Sequence, residues 1–388
     1  MRSQEENYLP SRSPILKRDC ESLVRSKKWL AVKMNTLITE SSPKKTRIDR
    51  VVWVDSLKLF ACLLVVFGHL YMSMASSGLM DGDSAVYLLP IQTVYTFHVP
   101  VFFVCSGFLY QYNKGGSSFS SHLMSLKRKI INLGVPYIVF SSATLLLKNA
   151  FASEVNNQAT PFLRTILFEP IAPYWYLYTL LLIFCIIPRL GSPRAILKLL
   201  AVSLAIKVVY VLLPETIVLP DLIGKVASNL VWFSLGMSLT VAGFGKLMMH
   251  RAMAIVLFIA AAVASLVLYG KENTDKITQF LIGFAFVYSL VDLFMSIDVT
   301  NESRLLRQMS AYFLPIYVLH TICAACMRAI LFKFGLDSLA IHLTVGFIAS
   351  VFIPVAIYEI AERRWWLFIL FEPTRALKMK KGECNERV

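Results

Sequence analysis

The stretch KLFACLLVVFGH, Lys58 to His69, places a lysine and a histidine at the two ends of an otherwise apolar run. An ionisable side chain at the centre of a membrane helix costs roughly 2.5–3.5 kcal/mol, so such residues persist where they are paired or used. The run belongs to a longer apolar segment, 54–74. At about 1.5 Å per residue that segment is long enough to cross the ~30 Å hydrocarbon core of a bilayer. Eleven residues at about 100° each return the two side chains to one helix face, roughly 16 Å apart along the axis. They cannot touch, and they form two stations along one wall. Lys58, near the helix start, can meet an anion; His69, deeper, can take a proton as a neutral imidazole. Asp55 precedes Lys58 by three residues and can pair with it locally. The plainer alternative is that Lys58 snorkels to the interface and His69 bonds within the bundle.

The rest of the chain reads the same way. Of 388 residues, 56% are hydrophobic and 16% charged, against about 25% charged in soluble domains. Apolar runs at 54–74, 87–111, 130–149, 172–190, 195–213, 223–243, 250–269, 277–297, 309–332 and 338–360 predict an all-α, polytopic membrane protein of about ten transmembrane helices. Lys207 interrupts the fifth run and is a functional candidate by position, with no obvious acidic partner. The net charge of +15 is concentrated in the two tails, which places both termini in the cytoplasm. The loops expected inside carry eleven Lys and Arg, from Lys114 to Arg307, against six in the outer loops. The expected organisation is a basic, disordered cytoplasmic tail (1–50), a transmembrane domain (51–370) and a basic cytoplasmic tail (371–388). Met34 is an alternative start. Basic tails of this kind suit anionic membrane lipid better than nucleic acid.

Neither a disulfide framework nor a metal pattern follows from the seven cysteines, an odd number mostly within apolar runs. Cys323 and Cys326 form a CxxC inside an apolar helix, where packing is the expected role. His122, His250 and His342 fall at loops or span ends. Asn301–Glu302–Ser303 is a glycosylation sequon in a loop expected on the cytoplasmic side.

The second run, YTFHVPVFFVCSGFLY (Tyr95–Tyr110), places His98 two residues before Pro100. A proline removes a backbone donor and kinks the helix, which lets a polar pocket open there. The second span returns from the opposite side, so His98 is expected at a depth similar to that of His69 or deeper, the two forming a proton-handling pair.

WVDSLKLFACLLVVFGH (Trp53–His69), followed by the Tyr95–Tyr110 segment, resembles the acyltransferase-3 family of integral membrane acyltransferases. LKRKIINLGVPY (Leu126–Tyr137), YWYLYTLLLIFCIIP (Tyr174–Pro188) and SAYFLPIYVLH (Ser310–His320) resemble later segments of that family in the same order. The resemblance covers about residues 50–370. The commonest family pattern has arginine where Lys58 stands; the lysine form resembles the branch of fucose and Nod-factor O-acetylases. Lysine keeps the charge but lacks arginine's bidentate fork.

The resemblance implies transfer of an acyl group, typically acetyl from acetyl-CoA, to a sugar hydroxyl of a cell-envelope or exported glycan. It implies a multi-pass protein of the bacterial plasma (inner) membrane, with acyl-CoA as a donor substrate and no bound cofactor or metal. A lipid-linked saccharide is an equivalent acceptor, and a homo-oligomer is compatible. In this reading His69 is the general base and His98 or Trp175 supports the oxyanion. Lys58, with Asp55, and the Lys127–Arg128–Lys129 cluster hold the donor near the cytoplasmic mouth. Trp175 and Tyr178 stack on a sugar face, unless they are interfacial belt residues. Tyr317 and His320 join the binding site, with a structural hydrogen bond as the equal alternative for His320. Glu359 is expected to pair with Arg363 or Arg364. Direct transfer and an acetyl-His69 intermediate both remain open. The rival class is an exporter of glycan or small acid on the same fold; no inverted repeat is visible to support it. A glycerolipid acyltransferase is disfavoured because no histidine is followed by the H-x4-D pattern.

Overall fold

The computed structural model describes residues 51–113, 118–150, 161–214, 216–241, 250–269, 275–296 and 309–380. The expected tail 1–50, the sequon 301–303 and residues 381–388 lie outside them. In chain order the helices are α1 (Val52–Ser76), α2 (Ala85–Tyr112), α3 (Phe119–Ala150), the short α4 (Phe162–Leu167), α5 (Trp175–Ile186), α6 (Pro193–Leu212) and α7 (Asp221–Ser238). They continue with α8 (Arg251–Tyr269), α9 (Lys276–Met295), α10 (Phe313–Lys333), α11 (Leu339–Glu362), α12 (Trp365–Phe368) and α13 (Pro373–Lys380). No strand occurs among the described residues.

Among the described residues, eight helices are long and apolar enough to cross a membrane: α1, α2, α3, α6, α8, α9, α10 and α11. The protein is therefore a multi-pass membrane protein, and two of the ten expected runs fall in helices that are shorter or less apolar than these eight. The run at 172–190 yields only the twelve-residue α5. Pro188 ends it, forcing Ile187 into an extended conformation (φ −103°, ψ 109°). The run at 223–243 lies in α7, where Asp221, Lys225 and Asn229 dilute the apolar sequence.

Local sequence explains several boundaries. Ser84 caps α2 by accepting from the Tyr87 N–H (3.3 Å), and Ser192 caps α6 by accepting from the Ala195 N–H (3.2 Å). Pro193 follows Ser192 at the first helical position. Asp275 caps α9, accepting from the Thr278 N–H at 2.6 Å.

Packing separates the interior from the rim. Of the eight spanning helices, α2 and α10 are the most buried and α6 and α8 the least, so α6 and α8 face lipid. The tightest contact joins α2 to α7. A Cβ at Gly107 would collide with the backbone of Phe233, and one at Gly236 with the backbone of Val104. Small residues of this kind let membrane helices approach through their backbones.

The chain beyond α11 folds back. Phe371, Pro373 and Ala376 are buried, and α13 packs on α3 and α12. Arg375 Nη1 donates to Glu372 (3.1 Å), and Nη2 donates to Glu362 (3.4 Å). Glu359 does not pair with Arg363 or Arg364; it accepts from the Tyr312 hydroxyl at 2.5 Å. Those arginines follow the helix end and are exposed, whereas Tyr312 lies against α11.

Candidate active site

A cavity of about 1230 Å³ enters the bundle from the face where α1 ends and α2 begins. Asp83, Ala85 and Lys276 stand at its mouth, and all three are exposed. Its floor is formed by Val65, His69, His98, Pro100, Phe102, Tyr176 and Tyr317. Trp175, Tyr210, Trp232 and Phe280 give the wall aromatic faces, and Lys207 adds a charge.

The floor holds a compact cluster of polar rings. The His69 centroid lies 5.3 Å from that of His320 and 6.2 Å from that of Tyr95. Tyr95 lies edge-on to His98, with centroids 4.6 Å apart. Thus α1, α2 and α10 each contribute one histidine. The proline at position 100 and the short approach of α1 to α2 make the room. A Cβ on Gly68 would lie 2.8 Å from the Tyr95 ring, so glycine beside His69 lets this tyrosine reach the floor.

Hydrogen bonds fix the tautomers of two of the three histidines. His98 Nδ1 lies 2.7 Å from the Val94 carbonyl, and His320 Nδ1 lies 2.8 Å from that of Tyr317 and 3.1 Å from that of Ile316. A carbonyl only accepts, so each Nδ1 carries the proton and each neutral ring presents an Nε2 lone pair. His320 Nε2 is buried with no hydrogen-bond partner among the described residues. A neutral His98 is accordingly an acceptor through Nε2, which suits proton handling and not donation to an oxyanion. The buried hydroxyl of Tyr95, also without a partner among the described residues, is the donor at that place.

Sequence reasoning did not single out Tyr95, although it stands three residues before His98 and so on the same helix face. Tyr317 lines the cavity and donates its hydroxyl to the Pro173 carbonyl. Trp175 lines it as well. Tyr178 does not: it stacks on Tyr137 with centroids 5.0 Å apart, and its hydroxyl donates to the Leu167 carbonyl at 3.3 Å.

Lys58 belongs to the opposite face. Its Nζ lies 5.8 Å from the centroid of Phe313, without an ion pair to Asp55. Phe313 packs on Phe102 (5.3 Å) and Tyr317 (6.0 Å), both of which floor the cavity. An aromatic layer therefore separates the two stations of the α1 wall.

Lys127 and Arg128 are exposed, while Lys129, the next residue, turns inward. Lys129 Nζ sits 3.2 Å from the Phe184 centroid and 4.6 Å from that of Tyr110. Arg189 covers the Tyr110 ring at 5.2 Å and donates Nε to the Tyr110 carbonyl at 2.8 Å. Lys129 and Arg189 thus meet at the Tyr110 ring near the end of α2.

A family model described as an acyltransferase domain, that of the acyltransferase-3 family, matches residues 51–359. No curated protein and no solved structure matches the chain.

Proposed function

We propose that this chain, which belongs to the acyltransferase-3 family of membrane acyltransferases, transfers acetyl from acetyl-CoA to a sugar hydroxyl of an envelope glycan. The observation that carries this reading is the His69–Tyr95–His98 cluster at the floor of a deep aromatic cavity. A hydroxyl is a weak nucleophile and needs a base that removes its proton as it attacks. Aromatic walls offer flat faces for sugar rings.

In this mechanism the acceptor enters past Asp83 and Lys276 and lays its hydroxyl against His69. The donor approaches from the Lys58 face, its phosphates met by Lys58, Lys129 and Arg189, and its thioester passes the Phe102–Phe313 layer. The acceptor oxygen attacks the thioester carbonyl carbon while His69 takes the proton. The Tyr95 O–H holds the developing oxyanion. Collapse breaks the C–S bond, the thiolate leaves, and His69 returns the proton to give free CoA thiol. In this mechanism a ring N–H of His69 turns to His320 Nε2, leaving the other nitrogen as base. Cytoplasmic placement of the Lys58 face follows from the basic residues around it.

The test is mass spectrometry of envelope glycans from cells carrying wild type, no gene, or His69→Ala. The expected result is an acetyl ester present with wild type and absent in the other two. Unchanged esters together with loss of the polymer from the surface would replace this reading with export.

A further inference from the structure

The wall of the same cavity carries a charge that the acyl-transfer chemistry does not use. Lys207 lies on α6, the lipid-facing helix, five positions before its end at Leu212. Its neighbours Leu204, Ile206, Val208 and Val209 are exposed, whereas Ser203 is buried and Lys207 and Tyr210 are half-buried. That is one helical stripe, with positions 203, 207 and 210 turned inward. Lys207 Nζ lies 5.6 Å from the Tyr210 centroid and 5.3 Å from that of Phe280. It makes no ion pair with any described residue. Lys276 stands one turn before Phe280 on α9, at the cavity mouth.

The ionisable groups lining the cavity are Asp83, His69, His98, Lys207 and Lys276, with tyrosines Tyr95, Tyr176, Tyr210 and Tyr317. Two ammonium groups thus face one carboxylate, and that carboxylate is exposed at the mouth. An ammonium in a spanning helix is retained where it faces a partner or a water-filled cavity. Here the cavity supplies aromatic faces, which hold a cation only weakly, and no buried anion.

We propose that Lys207, with Lys276 above it, forms an anion subsite, and that the acceptor is an acidic saccharide bearing a carboxylate or phosphate on the acylated sugar or its neighbour. The inference rests on the acyl-transfer reading and deepens it. Lys276 draws the anion in at the mouth, and Lys207 exchanges its ring contacts for a charge-assisted hydrogen bond. The aromatic wall of Trp175, Tyr210 and Trp232 holds the sugar while the anion fixes which hydroxyl meets His69.

The test begins with the wild-type protein, so it needs no variant to fold. The glycan unit whose ester depends on His69 is isolated and its composition determined. A carboxylate or phosphate on the esterified sugar or an adjacent one is expected; carboxyl reduction before analysis separates the two sources. A neutral unit at those positions overturns the proposal while leaving the acyl-transfer reading intact. Ester content is then compared in cells carrying Lys207→Gln and Lys207→Arg, with labelled acetyl-CoA binding to each purified protein as the control for folding. At least a tenfold loss of ester in the glutamine variant is expected, with most retained in the arginine variant and donor binding unchanged in both. Full ester content with Lys207→Gln overturns the proposal. No ester dependent on His69 anywhere in the envelope overturns both readings together.

Discussion

His320 places an unpartnered Nε2 beside His69, with ring centroids 5.3 Å apart, because its Nδ1 proton is committed to the carbonyls of Ile316 and Tyr317. Two neutral histidines so arranged are not equivalent: His320 can only accept at that nitrogen, so a hydrogen bond between them would have to come from a ring N–H of His69. In the proposed mechanism His320 is a positioning residue for His69. Its glutamine variant should lower kcat by about tenfold to a hundredfold, less than the roughly 10²–10⁴-fold that base catalysis itself contributes, with KM for the donor unchanged. His69→Ala should remove nearly all turnover. Steady-state kinetics in proteoliposomes checks both, and a KM effect without a kcat effect in the His320 variant would contradict the positioning role.

Tyr95 carries a second expectation. Its hydroxyl is a buried donor without a partner among the described residues, on a ring beside both histidines, and removing one oxyanion donor costs about 10²–10³ in kcat in well-studied cases. Tyr95→Phe should fall in that range while keeping the fold, since the ring contacts to His69 and His98 survive. Gly68→Ala should give a similar loss by pushing the ring away, because its new methyl would lie 2.8 Å from Tyr95. Normal turnover in Tyr95→Phe would move the oxyanion role to another donor, with Trp175 the next to test.

On the opposite face, inward orientation decides which cations matter. Lys129→Ala and Lys58→Ala should each weaken acetyl-CoA binding by roughly tenfold to a hundredfold, the size of a charge-assisted hydrogen bond. Lys58→Arg should retain most of it. Lys127→Ala, at an exposed position, should change binding by less than threefold. Equilibrium binding of labelled acetyl-CoA distinguishes the four. Equal losses at Lys127 and Lys129 would mean a diffuse basic field in place of a formed site.

The same contrast marks where the sequence was informative. Apolar run length announced a helical membrane protein, and the period of one helix put Lys58 and His69 on a shared face. Pro100 beside His98 marked the pocket. The phase of α3 was not legible, because Lys127, Arg128 and Lys129 step about 100° apart and the apolar residues give no single face. Nor was the convergence of His320 and Tyr95 on His69, which depends on α10 and α2 packing against α1. The wall imagined as continuous is interrupted by side chains from two other helices, and a period within one helix carries no information about them.

That interruption leads to the last expectation. Phe313 touches the Lys58 ammonium on one side and packs on Phe102 and Tyr317 on the other. With the acceptor filling the cavity, water that crossed this layer from the Lys58 side would still meet the thioester beside a histidine base, and hydrolysis would compete with transfer. Excluding water from a reactive acyl donor is a general requirement of acyl transfer. Phe313→Ala opens a cavity in the layer while leaving Lys58, His69 and Tyr95 in place. It should raise acceptor-independent hydrolysis of acetyl-CoA several-fold and lower the yield of ester per CoA released. Measuring CoA thiol and glycan ester in the same reaction gives that ratio directly. A variant that loses both in proportion would show that Phe313 supports the fold of the floor, and a ratio unchanged from wild type would place the water barrier elsewhere.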